Sequence, residues 1–253
     1  LPISEATPEA RRNDPQRMLL SYHAAAETLA EIANADMLVL ARAGEPEGLW
    51  LRADTQSGGR GRMARAWHSP IGNLYATTLV RLQPQDPPAA TLALVAAVAL
   101  HEVLTAYAAT LCDIVIKWPN DLLANGSKIA GILLERSNDA VVIGIGVNLG
   151  FHPVGLDRPV TSLAALGLDA PDPHYFCEDL APAFAHWLAQ WRTMGLESVR
   201  EAWLRGGHAI GTALTANLGD GSSVEGTFDG LEADGALRLR LADRSVRVIH
   251  AAD

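Results

Sequence analysis

The segment at residues 58–65 combines three glycines with three arginines, in the order Gly-Gly-Arg-Gly-Arg-Met-Ala-Arg. Glycines let a backbone turn tightly and approach a ligand closely, and guanidinium groups bind phosphate and carboxylate in bidentate fashion. The segment therefore indicates an anion-binding loop, although an exposed basic loop would have the same composition. It is neither a Walker A loop nor a GxGxxG loop, since the Gly-Lys-Ser/Thr ending is absent.

A lysine and an aspartate lie on a predicted hairpin that follows the sequence Lys-Trp-Pro-Asn-Asp at residues 117–121. The pair at 125–126, Asn-Gly, favours a type I′ turn between two strands. Lys128 interrupts an otherwise apolar strand, where an unpaired ammonium group would be costly to bury. Asp121 begins the same hairpin, so we expect it across from the strand that carries Lys128. A lysine at a strand edge beside a turn is the simpler alternative.

Two glycines and an asparagine alternate with apolar residues in the sequence Gly-Ile-Gly-Val-Asn. Residues two apart in a strand share a face, so Gly144, Gly146 and Asn148 are expected on one side. That face would be flat with an amide at its end, and it would accept a planar ring. Close packing against a helix or a bulge would also explain the glycines.

The surrounding pattern predicts an α+β domain followed by a small all-β unit. Asn34 is expected to cap a helix that ends before Gly44, and Pro88 suits the first turn of a long helix. Helices are predicted at 16–43 with a break near Asn34, 88–108, 162–166, 175–192 and 196–204. Strands are predicted at 48–53, 73–82, 113–118, 121–124, 127–136 and 140–148. After 206–207, short strands are predicted at 212–216, 223–229, 236–241 and 245–250.

Composition excludes several classes of protein. The chain has 253 residues, 49% of them hydrophobic, and a formal net charge of -9. A nucleic-acid-binding domain is usually basic, and no apolar run reaches the roughly 18 residues of a membrane span. The apolar stretch at 89–100 closes on His101 and Glu102, so it is expected to be a buried helix. Cys112 and Cys177 form no zinc or disulfide pattern, and no metal site made of protein side chains is expected.

The motifs in their order resemble the catalytic domain of biotin protein ligases, which share a fold superfamily with lipoate ligases. The order is GRGR-x-x-R, KWPND, K-x-AGIL-x-E and GIG-x-N, and the match covers residues 34–148. The end of the chain, 206–253, is similar to the SH3-like C-terminal domain of that family. The resemblance implies a mixed sheet flanked by helices, with a small C-terminal SH3-like β-barrel. The implied divisions are a polar tail at 1–15, a catalytic domain at 16–205 and the SH3-like domain at 206–253.

The resemblance also implies roles for individual residues. Arg62, Lys128 and Asp121 match catalytic positions, Asp121 being the aspartate that orients the acceptor lysine. Trp67 matches the family tryptophan after the loop, for which core filling is favoured over adenine packing. The implied biotin-binding residues are Ile32, Ala33, Asn34, Gln56, Arg60, Gly61, Arg62, Lys128 and Gly131. The implied ATP-binding residues are Arg60, Arg62, Trp67, Lys128, Gly144, Gly146 and Asn148.

The chain departs from the family pattern ahead of the segment at residues 58–65, which we call the arginine loop. The family has Ser-Thr-Asn there, and its side chains help to hold the ureido ring of biotin. Asn34 matches the asparagine, but Ile32 and Ala33 stand at the two positions before it and lack hydroxyl groups. A lost hydrogen-bond partner for a buried polar group costs about 1–3 kcal/mol. A lipoate or other acyl-acid ligase and a degenerate ligand-binding homologue therefore remain as alternatives.

The implied activity is an ATP-dependent ligase that forms biotinyl-5′-AMP and then transfers biotin to a lysine. The acceptor is a biotin carboxyl carrier protein or domain, and Mg²⁺ accompanies ATP. Catalysis would consist of positioning and charge stabilisation. We expect a cytoplasmic enzyme that does not bind membranes. DNA binding is not expected either, because the roughly 33 residues before Asn34 are not basic overall and fit no winged helix. Edge strands often pair between subunits in this family, so the resemblance leaves a homodimer open.

Overall fold

The computed structural model describes residues 33–250, except positions 57, 63 and 64. The predicted tail at 1–15, the helical prediction at 16–32 and Ile32 lie outside the described residues. Within them the chain forms one six-stranded sheet with helices on it, followed by a four-stranded sheet. This arrangement confirms the α+β prediction.

The larger sheet has the strand order β1-β2-β6-β5-β4-β3. Its strands are β1 (Trp50–Ala53), β2 (Leu74–Arg81), β3 (Ile114–Lys117), β4 (Asp121–Ala124), β5 (Ser127–Ser137) and β6 (Ala140–Val147). All neighbouring strands pair antiparallel, and parallel contacts occur as isolated bridges, such as Lys128 with Val160. The tight turns come where they were expected: Asn125 and Gly126 have φ values of 48° and 79°, as a type I′ turn requires.

Strand β6 explains how the sheet is covered on both faces. Its odd-numbered residues, Val141, Ile143, Ile145 and Val147, belong to the main hydrophobic core. Its first even-numbered residues, Ala140 and Val142, pack with Met37 and Ala41 in a second apolar cluster. Because side chains alternate in a strand, Gly144 and Gly146 continue this second face. They leave a shallow floor where larger side chains would have filled the space.

The helices lie on these two faces. Helix α1 (Ala33–Arg42) covers the second face, and α2 (Leu92–Ala108), α3 (Pro173–Met194) and α4 (Leu196–Gly206) build the main core. Asp172 caps α3 by accepting a hydrogen bond from the backbone N–H of His174 at 2.7 Å. Residues 89–108 are long and apolar enough to cross a membrane by composition. Most of their side chains are buried against α3, α4 and β3, as predicted for a core helix.

Several local predictions are corrected. Asn34 is the second residue of α1 rather than its cap, because its side chain is engaged elsewhere. The long helix begins as a 3-10 turn, Ala89–Thr91, before α2. The predicted short helix at 162–166 is a 3-10 turn at Ala164–Leu166.

The smaller sheet follows α4 with the order β10-β9-β8-β7. Its strands are β7 (Ala213–Asn217), β8 (Ser223–Leu231), β9 (Leu237–Arg240) and β10 (Val246–Ile249), all paired antiparallel. Asp229 pairs with both Arg238 and Arg240, at 2.9 and 2.6 Å. The indole Nε1 of Trp118 donates a hydrogen bond to the carbonyl of Gly235 at 3.0 Å. The predicted all-β unit is therefore present and joined to the main sheet.

Candidate active site

A cavity of about 260 Å³ lies on the second face of the sheet, between α1 and the arginine loop. Its floor is formed by β5 and β6, and the loop and Trp67 cover it from the other side. Of the predicted site residues whose side chains the structure describes, all except Asn148 line this cavity, and the side chain of Ala33 lies outside them. The predicted residues that line it are Asn34, Gln56, Arg60, Gly61, Arg62, Trp67, Asp121, Lys128, Gly131, Gly144 and Gly146.

The floor depends on glycines at two positions. A Cβ atom on Gly144 would lie 2.2 Å from Oδ1 of Asn34, and one on Gly146 would lie 2.8 Å from the indole ring of Trp67. Real Cβ atoms do not approach other atoms so closely, so any larger residue would displace its neighbour. The predicted flat face is present, and a planar ring lies on it. That ring belongs to the protein itself.

Trp67 is only partly buried, and this corrects the preference for core filling. Its ring contacts the backbone above Gly146 and approaches Gly131. The ammonium group of Lys128 lies 5.5 Å from its centroid, within the range of a cation–π contact. Its Nε1 has no hydrogen-bond partner among the residues that the structure describes. Trp67 is therefore a wall of the cavity with an unused donor.

Lys128 and Asp121 form an ion pair at one end of the cavity. Nζ of Lys128 lies 2.5 Å from Oδ1 of Asp121, and the two side chains are only 11% and 12% exposed. The antiparallel pairing of β4 with β5 produces this contact, as expected from the predicted hairpin. Desolvation by burial lowers the pKa of Lys128, and the charge of Asp121 offsets part of that effect. A cation with so little water around it interacts strongly with an incoming anion.

The arginine loop is held in a small hairpin at the mouth of the cavity. Arg60 forms an isolated bridge with Ala66, and the N–H of Gly61 donates to the carbonyl of Arg65 at 2.8 Å. Arg62 donates to Oδ1 of Asn120 at 3.2 Å. Asn120 is fixed in turn, because its amide donates to the carbonyl of Ile132 at 2.6 Å. The asparagine of KWPND thus places Arg62 beside the Lys128–Asp121 pair.

The opposite end of the cavity is polar and is formed by Asn34, Thr77 and Glu135. Oδ1 of Asn34 accepts a hydrogen bond from Thr77 at 2.7 Å, and its Nδ2 donates to Oε2 of Glu135 at 2.8 Å. Gln56 lies on the loop side, where its Oε1 accepts from the hydroxyl of Ser69 at 3.0 Å. Asn34 is thus fixed by partners on two strands of the sheet.

Asn148 is not brought to the cavity. It follows the end of β6 and is 2% exposed, and its Nδ2 donates to the carbonyl of Thr161 at 3.0 Å. The expectation that it continues the face of Gly144 and Gly146 is therefore wrong, because the strand has ended. Its side chain instead fixes the segment at 159–161, whose backbone pairs with Lys128.

Sequence reasoning gave no role to several residues that line the cavity, among them Thr77, Asn120, Glu135 and Arg158. Asn120 belongs to the KWPND motif and Glu135 to the K-x-AGIL-x-E motif, but neither residue was given a role. Thr77 is one of two adjacent threonines in a mostly apolar strand, and a buried hydroxyl there is a usable signal. Arg158 lies in an irregular loop without a motif, and its proximity to Lys128 follows only from the fold. Among the described residues no group of three or more His, Cys, Asp or Glu forms a metal site.

Comparisons with known proteins identify the family of this chain. The Biotin/lipoate A/B protein ligase family matches residues 41–151, and the Biotin protein ligase C terminal domain matches residues 210–253. A biotin--[acetyl-CoA-carboxylase] ligase of Paracoccus denitrificans is 42% identical over 218 residues, covering 82% of this chain and 90% of that protein. A ligase of the same name from Mycobacterium tuberculosis is 33% identical and covers 87% and 84%.

Solved structures show the same fold. The biotin protein ligase from Aquifex aeolicus in complex with biotin and ATP superposes with a TM-score of 0.72 at 24% identity, covering 82% of this chain and 88% of that one. The Leishmania major enzyme in complex with biotinyl-5-AMP gives a TM-score of 0.59 at 23% identity, covering 87% and 95%. With its two matching domain families and its close relatives, the chain belongs to the biotin protein ligase family.

Proposed function

We propose that this one cavity carries out both steps of protein biotinylation. The chain is an ATP-dependent ligase that forms biotinyl-5′-AMP and transfers biotin to a lysine of a biotin carboxyl carrier protein. The observation that supports these residue roles most directly is the buried Lys128–Asp121 pair at 2.5 Å, at one end of a glycine-floored cavity. The arginine loop stands at the same end.

In the first step the biotin carboxylate attacks the α-phosphorus of ATP, and pyrophosphate leaves. Two anions must approach each other, and Arg60, Arg62 and Lys128 offset their repulsion. Lys128 then exchanges Asp121 for a carboxylate or phosphate oxygen. Arg62 is already aimed by Asn120, so little reorganisation is needed.

In the second step the amine of the acceptor lysine attacks the acyl carbon, and AMP leaves. Asp121 becomes free when Lys128 turns to the phosphate. Its carboxylate then orients the incoming amine and accepts a proton from it. The two steps thus use the two halves of one ion pair in sequence.

The remaining site residues divide between the two substrates. We assign Asn34, Ala33, Gln56, Gly61 and Gly131 to biotin. The predicted contact of Ile32 with biotin lies outside the described residues and remains part of the proposal. For ATP we assign Trp67, Gly146 and, through the segment it fixes, Asn148. Gly144 was expected beside ATP, but it lies under Asn34, so we assign it to the biotin end.

Magnesium accompanies ATP in this proposal and neutralises phosphate charge when bound. The ion would be held mainly by phosphate oxygens and water, with few protein ligands. Asp121 is the carboxylate nearest to the cationic end of the cavity. No protein nucleophile is required in either step.

The wider setting is also proposed. We infer a cytoplasmic enzyme whose partner is the carrier domain of a biotin-dependent carboxylase, with no role for DNA or a membrane surface. The divisions at 16–205 and 206–253, the SH3-like nature of the second unit and a homodimer remain proposals of the same kind. The acidic balance of the chain supports the absence of nucleic acid.

The test is exchange of labelled pyrophosphate into ATP, with biotin and lipoate in parallel samples. Biotin-dependent exchange is the expected result. Exchange only with lipoate would identify the alternative acyl-acid ligase, which Ile32 and Ala33 favour because they lack hydroxyls. No exchange with either acid, from folded protein, would indicate the ligand-binding homologue without turnover.

A further inference from the structure

We infer that Glu135, held in place by Asn34 and Thr77, recognises the cyclic urea of biotin and selects it over other acids. The inference rests on the proposed function and adds a specificity-determining residue to it. Glu135 stands on β5 at the end of the cavity farthest from Lys128. It takes over the task that the missing Ser-Thr hydroxyls leave open.

The three side chains form a relay that fixes the carboxylate. The hydroxyl of Thr77 donates to Oδ1 of Asn34 at 2.7 Å, and Nδ2 of Asn34 donates to Oε2 of Glu135 at 2.8 Å. Thr77 and Asn34 are 1% and 9% exposed. Because Thr77 supplies a donor, the amide of Asn34 must present its NH₂ group to Glu135. Thr77 on β2 thus fixes the orientation of the Glu135 carboxylate through Asn34.

One oxygen of Glu135 remains free to accept a hydrogen bond. Its hydrogen bond from Asn34 uses Oε2, and no donor reaches Oε1 from the described part of the chain. A carboxylate that loses water without gaining a donor is costly. A ligand that fills this end of the cavity must therefore bring an N–H group.

The length of the cavity matches a molecule with different groups at its two ends. Gly131, Leu133 and Glu135 share one face of β5. The Cα atoms of Gly131 and Glu135 are four residues apart, which is roughly 13 Å along the strand. Nζ of Lys128 lies 3.2 Å from the place of a Cβ on Gly131. The cation therefore stands at one end of this span and the free carboxylate oxygen at the other.

This polarity fits biotin. Its carboxylate suits Lys128 at one end, and its urea carries two N–H donors that suit Glu135 at the other. A hydrogen bond to a charged acceptor is stronger than one between neutral groups. The dithiolane ring of lipoate carries no N–H group, so it would desolvate Glu135 without compensation. The cavity therefore selects biotin over lipoate because lipoate would leave the carboxylate of Glu135 without a hydrogen-bond donor. Such an unpaired polar group selects more strongly than a difference in apolar contacts.

The decisive variant is Glu135→Gln. The glutamine oxygen still accepts from Asn34, so the relay survives, but the outward atom becomes a donor facing the urea N–H. We expect the KM for biotin in pyrophosphate exchange to rise about 10- to 100-fold, as for loss of a hydrogen bond to a charged group. The kcat should remain within about twofold, because the change is remote from the reacting atoms. Glu225→Gln, on an exposed position of β8, is the matched control and should leave both constants unchanged.

Thr77 acts as a positioning residue, and its test uses rescue. Thr77→Ser keeps the donor to Asn34 and should keep the wild-type KM for biotin. Thr77→Val removes it, so the KM should rise while kcat is preserved. A merely structural role would predict similar kinetics for the two variants after correction for stability.

The outcomes separate this inference from the proposed function. Failure of the wild-type chain to catalyse biotin-dependent exchange contradicts the proposed function. Normal exchange by the wild type together with an unchanged biotin KM in Glu135→Gln overturns the role of Glu135. Should Glu135→Gln lose its fold in a thermal melt, Glu135→Asp withdraws the carboxylate by one methylene and must raise the KM in the same way.

Discussion

At the scale of single residues, the proposed mechanism depends on an ion pair that must open during the reaction. Lys128 and Asp121 satisfy each other in the substrate-free site, at 2.5 Å and with about one tenth of each side chain exposed. Breaking such a pair by removing one partner leaves an uncompensated buried charge. Substrate anions must therefore replace Asp121 on Lys128, and only then is Asp121 available to the acceptor amine.

Replacing Lys128 by alanine is expected to slow adenylate formation by about 100- to 1000-fold, the range found when a preorganised charge or donor is removed from a transition state. Single-turnover formation of biotinyl-5′-AMP is the measurement. Arg136→Ala is the control, because Arg136 is an exposed cation on the same strand outside the cavity. A single-turnover rate equal to that of the wild type in Lys128→Ala would refute the role of Lys128. A thermal melt checks that the variant is folded.

Asp121→Asn is expected to slow lysine transfer more than adenylation, since the amide keeps the shape of the side chain but accepts no proton. The two steps are separated by giving the variant either biotin with ATP or preformed adenylate with carrier protein. Asp113→Asn, at an exposed aspartate just before β3, serves as the control. Equal slowing of both steps would contradict the separate use of Asp121.

At the scale of elements, β6 divides its residues between core and cavity. Ile143, Ile145 and Val147 face the core, while Gly144 and Gly146 form the floor under Asn34 and Trp67. This period of two was legible in the sequence, as was the hairpin that brings Asp121 to Lys128. Both depend on neighbours within a few residues or on one strand.

Other contacts had no local signal. Asn34 and Glu135 are 101 positions apart, and nothing near either residue specifies the other. The ring of Trp67 lies on Gly146 because the arginine loop folds back over the sheet, and a glycine-rich loop has no periodicity to reveal that course. Asn148 was misplaced for the opposite reason, because the alternation was extended one residue beyond the end of the strand. The local sequence pattern thus predicted the glycine floor of the cavity. The walls could not be predicted in this way, because they depend on contacts between residues far apart in the sequence.

Gly146→Ala tests the floor. A Cβ atom there would lie 2.8 Å from the ring of Trp67, so the indole must move. If Trp67 contacts adenine as proposed, the KM for ATP should rise at least about tenfold, comparable to losing one good packing contact. Ile145→Val removes a methyl group from the core side of the same strand. It should cost about 0.5–1.5 kcal/mol of stability and leave the KM for ATP unchanged. Equal ATP constants for Gly146→Ala and the wild type would contradict this assignment.

At the scale of the whole molecule, the KWPND segment joins the C-terminal sheet to the active site. Trp118 donates to the carbonyl of Gly235, between β8 and β9. Two residues later, Asn120 holds Arg62 and the carbonyl of Ile132. A cavity beside this segment is lined by Arg62, Trp118, Asn120 and Gly235 together. These contacts connect the arginine loop to the small sheet, and we expect its position to depend on the docking of that sheet.

Trp118→Phe tests that coupling, because it keeps most of the ring but removes the donor to Gly235. We expect a loss of about 0.5–1.5 kcal/mol in the free energy of unfolding and a several-fold slower exchange reaction as Asn120 and Arg62 lose their fixed position. Urea unfolding and pyrophosphate exchange measure the two effects. Trp187→Phe is the matched control, since its Nε1 donates to Glu102 at 2.9 Å on the helical side of the protein. That variant should lose stability without losing exchange rate. Equal exchange rates in the two variants would show that the small sheet contributes stability alone, and that Arg62 is positioned within the catalytic sheet.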